Sequence, residues 1–189
     1  MSIKISVINS SNSNLVKNHV FFTDKDFRIS KLSNLPISKF SSFINKSISS
    51  SNLEHKNFLS LNINPTQKVI LIKMKNNQPS LENEKVGAKF FTYLKSNLYF
   101  KTIFYEQNIS NISPKNKFFF DEFVHGLKLK SYEFNKYKSK NKEKKFEIEI
   151  LNKNKSFQFN KNKRYKSLIE GTNFTKDLVS EPGNVLHPD

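Results

Sequence analysis

The sequence predicts an α/β fold: a mostly parallel central sheet flanked by helices. Three observations carry this expectation. Two continuous apolar runs, Val69-Ile-Leu-Ile72 and Thr102-Ile-Phe-Tyr105, read as strands covered on both faces. Each is followed by apolar residues spaced for one face of a helix: Gly87, Phe90, Phe91, Leu94 and Leu98 after the first, and Phe120, Phe123, Val124 and Leu127 after the second. A third strand, in which Phe146, Ile148 and Ile150 alternate with Glu147 and Glu149, has one wet face and precedes a helix from about Lys163 to Ser180. Strand, helix, strand, helix, strand, helix is the order that crossover connections impose on a parallel sheet.

The first third of the chain is less patterned. Ile3, Ile5 and Val7 alternate with polar residues as in a half-buried strand, and His19-Val-Phe-Phe-Thr23 is a second strand candidate. The Ser/Asn-rich stretch Asn9 to Asn14 between them reads as a turn. Phe40, Phe43, Ile44 and Ile48 share one face of a short helix after Pro36, Ser47 to Asn52 reads as a polar loop, and Phe58 to Ile63 as another strand. From Asn135 to Lys145 the chain is nearly all Lys, Asn, Ser and Glu, the composition of a mobile loop. No internal repeat is visible.

Composition sets the class. A chain of 189 residues can bury a core of one ordinary domain, and although only 36% of residues are hydrophobic, 19 Phe supply large apolar side chains. With no Cys, disulfides and thiolate metal sites are excluded, and a cytoplasmic location is the expectation. No signal peptide and no span of about 20 apolar residues is present, so no membrane partner is expected. The net charge is +16, yet of 32 basic residues only Arg28 and Arg164 are Arg. Readers of nucleic acid favour Arg for bidentate contacts, so this excess reads first as a solvated lysine surface.

The last stretch organises the rest. Pro182 lacks an N–H and disfavours helical geometry at Glu181, so the last helix should end near Ser180. Gly183 and Asn184 then suit a turn, and Pro188 stiffens the outgoing segment, as in a connector to something further on. Thr175-Lys-Asp-Leu-Val-Ser-Glu-Pro-Gly-Asn-Val-Leu-His-Pro188 resembles the interdomain junction of the leucyl (cytosol) aminopeptidases, which are two-metal peptidases. It departs from the family pattern at Lys176, where Arg is usual, and at Ser180, where Asn is usual. A second segment, Glu122-Phe-Val-His-Gly126 through Tyr132-Glu-Phe-Asn-Lys-Tyr-Lys138, is similar to the family's Gly-x-x-Leu-x-x-Tyr-x-Phe-x-x-Tyr-Lys.

The resemblance implies a macro-domain-like, non-catalytic N-terminal domain over residues 1–181, and from 182 the start of a connector to a catalytic domain in the same polypeptide. It implies that the full enzyme uses two divalent ions, Mn or Zn, to release N-terminal residues from peptides, and that it assembles as a homo-hexamer. Phe174, Asp177, Leu178, Pro182, Gly183, Asn184 and Pro188 are then the junction residues. On the terminal helix, Tyr165, Leu168, Ile169, Thr172 and Val179 are expected against the sheet, with Phe174 and Leu178 on the opposite side.

No catalytic or metal-ligating set is expected in these residues. Two-metal hydrolysis needs several converging carboxylates, and the family's Asn-Thr-Asp-Ala-Glu-Gly-Arg stretch does not occur. His19, His55, His125 and His187 lack ligand spacing, and Asp121 and Glu122, adjacent on a helix, diverge. The four glycines are isolated, so no glycine-rich phosphate loop is expected. The alternative reading is a free-standing basic module that binds nucleic acid weakly and without sequence preference. Its candidate contacts are Lys136, Lys138, Lys140, Lys142, Lys144 and Lys145, with Tyr132, Phe134 and Tyr137 interleaved.

Overall fold

The runs predicted as buried strands take the middle of a six-stranded sheet. The structure is a computed structural model and describes residues 2–10, 18–31, 33, 35, 37–75, 78–137, 145–152, 163–182 and 185. In chain order the elements are β1 (Ser2–Ile8), β2 (Asn18–Thr23), α1 (Ser41–Ser49), β3 (Phe58–Asn62), β4 (Lys68–Lys73), α2 (Ser80–Ser96), β5 (Lys101–Tyr105), α3 (Glu106–Ile112), α4 (Phe119–Ser131), β6 (Lys145–Leu151) and α5 (Lys163–Ser180). The strand order is β1-β6-β5-β2-β4-β3. Pairing is parallel throughout except at the edge, where β3 runs antiparallel to β4. This is the α/β arrangement the alternation of runs predicts.

Period-two alternation divides the core. Val20, Phe22, Ile70, Ile72, Phe104, Phe146, Ile148 and Ile150 point to one face, where α2 and α4 cover them. Phe21, Val69, Leu71, Ile103 and Tyr105 point to the other, under Ile44 of α1 and under Phe27, Leu35 and Ile37. The phenylalanines fill the first layer in edge-on contacts; the rings of Phe22 and Phe123 meet at 89° with centroids 5.1 Å apart. Glu147 and Glu149 keep the wet face of β6, where Glu149 meets the Lys101 ammonium at 2.9 Å.

The helices α2 and α4 touch backbone to backbone. A Cβ on Gly87 would lie 1.9 Å from the Phe123 carbonyl oxygen, and one on Gly126 would lie 1.9 Å from the Glu84 carbonyl oxygen. Only glycine fits at either crossing point.

Four expectations need correction. Leu98 does not extend the face of α2: the helix stops at Ser96, and Leu98 is exposed with φ at +57°. Ser47 to Ser49 close α1 rather than forming a loop, and Phe43 of that helix is exposed while Ile44 alone is fully buried. Helix α3 is new. Its sequence, Glu-Gln-Asn-Ile-Ser-Asn-Ile, shows little periodicity, but buried Asn108 holds it to the sheet by accepting from the Phe22 N–H at 2.7 Å and donating to the Phe22 carbonyl at 3.0 Å. That side chain continues the ladder where the β2–β5 pairing, which registers His19 with Ile103 and Val20 with Phe104, ends. The fourth, the placement of α5, belongs to the site below. Residues 138–144 of the loop expected over Asn135 to Lys145, and residues 11–14 of the turn expected over Asn9 to Asn14, lie outside the described residues.

Candidate interdomain junction

Helix α5 lies along α4, not on the sheet, and no residue of it is buried. The side facing α4 carries Tyr165, Ile169, Thr172, Asn173 and Lys176, each half-buried. Polar contacts hold it there at three levels.

At the first level the Tyr165 ring packs on His125, centroids 5.1 Å apart, and the Tyr165 hydroxyl lies 3.5 Å from a Glu122 oxygen. Buried Glu122 accepts from the side-chain amides of Asn83 at 2.7 Å and Asn116 at 2.9 Å, which offsets the cost of burying its charge. His125 Nδ1 lies 3.1 Å from Glu84 Oε1. At the second level the Lys176 ammonium donates to the Leu129 carbonyl at 3.1 Å and sits 5.1 Å over the Tyr132 ring. At the third, the Tyr132 hydroxyl donates to Asp177 Oδ1 at 2.6 Å. There the Lys136 ammonium meets Glu181 Oε1 at 2.5 Å, and the Tyr137 hydroxyl donates to the other Glu181 oxygen. Hydrogen bonds from Lys136 and Tyr137 hold the Glu181 carboxyl below the usual carboxylate range, and the same carboxylate raises Lys136.

The two segments that carry the family resemblance are therefore each other's neighbours. Tyr132, Lys136 and Tyr137 come from the first, and Lys176, Asp177 and Glu181 from the second.

The outer side of α5 has no cover among the described residues. Phe174 is 64% exposed and Leu178 40%, as their position opposite the α4-facing side predicts. Leu168 and Val179, expected inward, are 43% and 81% exposed. Val179 has the right angular position, but α4 ends at Ser131, and the segment after it, with Tyr132, Lys136 and Tyr137, meets Asp177 and Glu181 and leaves Val179 exposed. The helix ends at Ser180, as Pro182 requires, and the Val185 N–H donates to the Pro182 carbonyl at 2.9 Å in the following turn. Gly183, Asn184 and Pro188 lie outside the described residues.

Of the six lysines named as nucleic-acid contacts, Lys138, Lys140, Lys142 and Lys144 also lie outside them. Lys145 is exposed at the start of β6, and Lys136 is paired with Glu181 rather than free for phosphate. Sequence reasoning missed Glu181 and Lys176 as contact residues. Their spacing from their partners, 45 and 47 residues, leaves no local signal.

No protein-family model matches the chain, and no curated protein matches its sequence. Solved structures do match. A mutant of tomato leucine aminopeptidase superposes on 99% of this chain with a TM-score of 0.67 at 18% identity, and this chain covers 40% of that one. The bottromycin maturation enzyme BotP superposes on 92% of the chain with a TM-score of 0.57 at 10% identity, 34% of its own length being covered. Alphavirus P23pro-zbd follows at 0.52 and 11% identity, covering all of this chain and 25% of its own. At these identities the likeness is one of fold. The chain spans less than half the length of each.

No helix among the described residues is long and apolar enough to cross a membrane.

Proposed function

We propose that this chain is the non-catalytic N-terminal domain of a metal-dependent leucyl aminopeptidase. The observation that carries the reading is the pairing at the junction: the two segments that resemble the family pack together through Tyr132, Asp177, Lys136 and Glu181. The fold likeness to tomato leucine aminopeptidase over nearly the whole chain supports it. In this reading the complete protein releases N-terminal residues from peptides, and this domain braces a hexameric assembly and shapes access to its interior. The outer side of α5, with Phe174 and Leu178, faces the catalytic domain, to which Pro182 and the residues after it lead.

The described residues offer the two ions of such an enzyme no site. Among the described residues no three His, Asp or Glu side chains converge to hold a metal, so no catalytic step is assigned to them. In this reading the carboxylates that bind Mn or Zn belong to the catalytic domain.

The experiment is release of Leu from a chromogenic Leu amide. The complete protein should release it and lose the activity to a chelator, while this chain alone should release none. Chelator-sensitive release by this chain, or none by the complete protein, overturns the reading.

A further inference from the structure

A cleft of about 640 Å³ opens where β2 and β4 end and β3 begins. Six of its thirteen lining residues are lysines: Lys25, Lys56, Lys73, Lys75, Lys85 and Lys89. That is nearly half of the lining, against 32 basic residues in a chain of 189, so the cleft concentrates a charge that the composition only dilutes. The residues come from separate places in the sequence. Lys25 follows the carboxyl end of β2, Lys73 closes β4 and Lys75 follows it, Lys56 precedes the antiparallel β3, and Lys85 and Lys89 stand one turn apart on α2. In open α/β sheets this end, beyond the carboxyl ends of the parallel strands, is where ligands bind.

The electrostatics of the cleft are unbalanced. Among the described residues Glu82 is the one carboxylate that lines it, and Lys85 engages that group at 2.6 Å. Lys75 and Lys89 also act on Glu82, and with the Lys85 hydrogen bond they hold its carboxyl below the usual range. Lys73 sits 5.3 Å over the Phe27 ring, and among the described residues neither it nor Lys25, Lys56, Lys75 or Lys89 pairs with a carboxylate. Like charges gathered in a concavity repel unless an anion enters. Phe58 and Val86 give the cleft an apolar wall.

We infer that this cleft binds a small polyphosphate, a ligand with two or more linked phosphates, independently of any peptidase activity. Lysines contact phosphate as point charges and need neither glycine-rich backbone nor arginine forks. The volume suits a small molecule, within the range of ordinary ligand sites. A nucleic-acid strand needs an extended basic track rather than one local cleft.

The test is calorimetric titration of the chain with inorganic tripolyphosphate and, separately, with a short oligothymidylate. Two variants are compared: Lys75→Ser with Lys89→Ser in the cleft, and Lys4→Ser with Lys46→Ser, which remove the same charge from exposed positions elsewhere. All four side chains are exposed, so folding should survive. Tripolyphosphate should bind the parent chain, about tenfold more weakly the cleft variant, and within about twofold of the parent the control. No measurable binding to the parent, or equal loss in the two variants, overturns the proposal. Oligothymidylate that binds the parent more tightly than tripolyphosphate and keeps its affinity in the cleft variant would also overturn it, by assigning the charge to the surface at large.

Discussion

Helix α4 is gripped from two sides in two different ways. Against α2 it is in backbone contact, with Gly87 and Gly126 at the crossing and Phe90, Phe123, Val124 and Leu127 in the core. Against α5 it offers hydrogen bonds and ring faces, and α5 buries no residue at all. The contact with α2 is a piece of the interior and must form for the domain to fold. The contact with α5 is a tether, and polar contacts at a surface contribute little net stability. A helix of 18 residues held only by a tether, with Phe174 and Val179 outward, is what the proposed second partner, the catalytic domain, would require.

The sharpest way to break that contrast is with methyl groups. Gly126→Ala should drive a Cβ into the Glu84 backbone and destabilise the chain by about 3 kcal/mol or more, measured by denaturant unfolding. Gly171, on α5, has nothing within 4 Å of where its Cβ would be. Gly171→Ala should therefore stabilise this chain, by about 1 kcal/mol or less, because glycine inside an exposed helix costs about that much. If Gly126→Ala is neutral, the close approach of α2 and α4 is wrong; if Gly171→Ala destabilises this chain, α5 packs more closely than described.

Acid should separate the regions too. Burial lowers His19, which lies beside the Tyr105 hydroxyl at 2.5 Å, to a pKa of about 4. The unfolded chain then binds a proton that the folded one refuses between the ordinary His value and about 4. Stability is complete above that window and falls as pH descends through it, by up to about 3 kcal/mol. His19→Gln should flatten this slope in thermal melts between about pH 7 and 4. The tether responds lower. Because the Glu181 carboxyl is held below its usual range, its contribution persists above the usual carboxylate value and disappears as pH falls through its lowered one. The smallest effect belongs to single tether groups: Tyr132→Phe or Glu181→Gln should leave the melting temperature nearly unchanged but speed amide exchange in α5. Unchanged exchange would mean that these bonds hold nothing.

The same division explains what could be read in the sequence. Burial on one or both faces imposes a period, so Val69–Ile72, Thr102–Tyr105 and the inner face of α4 were legible, as was the stop before Pro182. Helix α3 was not, because a single buried amide, Asn108, anchors it rather than a stripe. The direction of β3 leaves no mark on its composition. The docking of α5 was misread in part: Tyr165, Ile169 and Thr172 do face inward, but toward α4 and beside the polar Asn173 and Lys176 rather than onto the sheet, while the apolar Leu168 and Val179 face outward. The cleft lysines, from Lys25 to Lys89, had no signal; strand ends far apart in sequence bring them together.

The central claim is that α5 serves two partners, and thermal unfolding of Phe174→Ser with Leu178→Ser tests it most directly. Each of these side chains is worth roughly 1.5–3 kcal/mol when fully buried and little when exposed. In this chain alone the double substitution should leave the melting temperature unchanged. In the complete protein it should lower that temperature by several degrees as the covered face loses its apolar anchors. Loss of several kcal/mol in this chain alone, or no loss in the complete protein, would contradict the account.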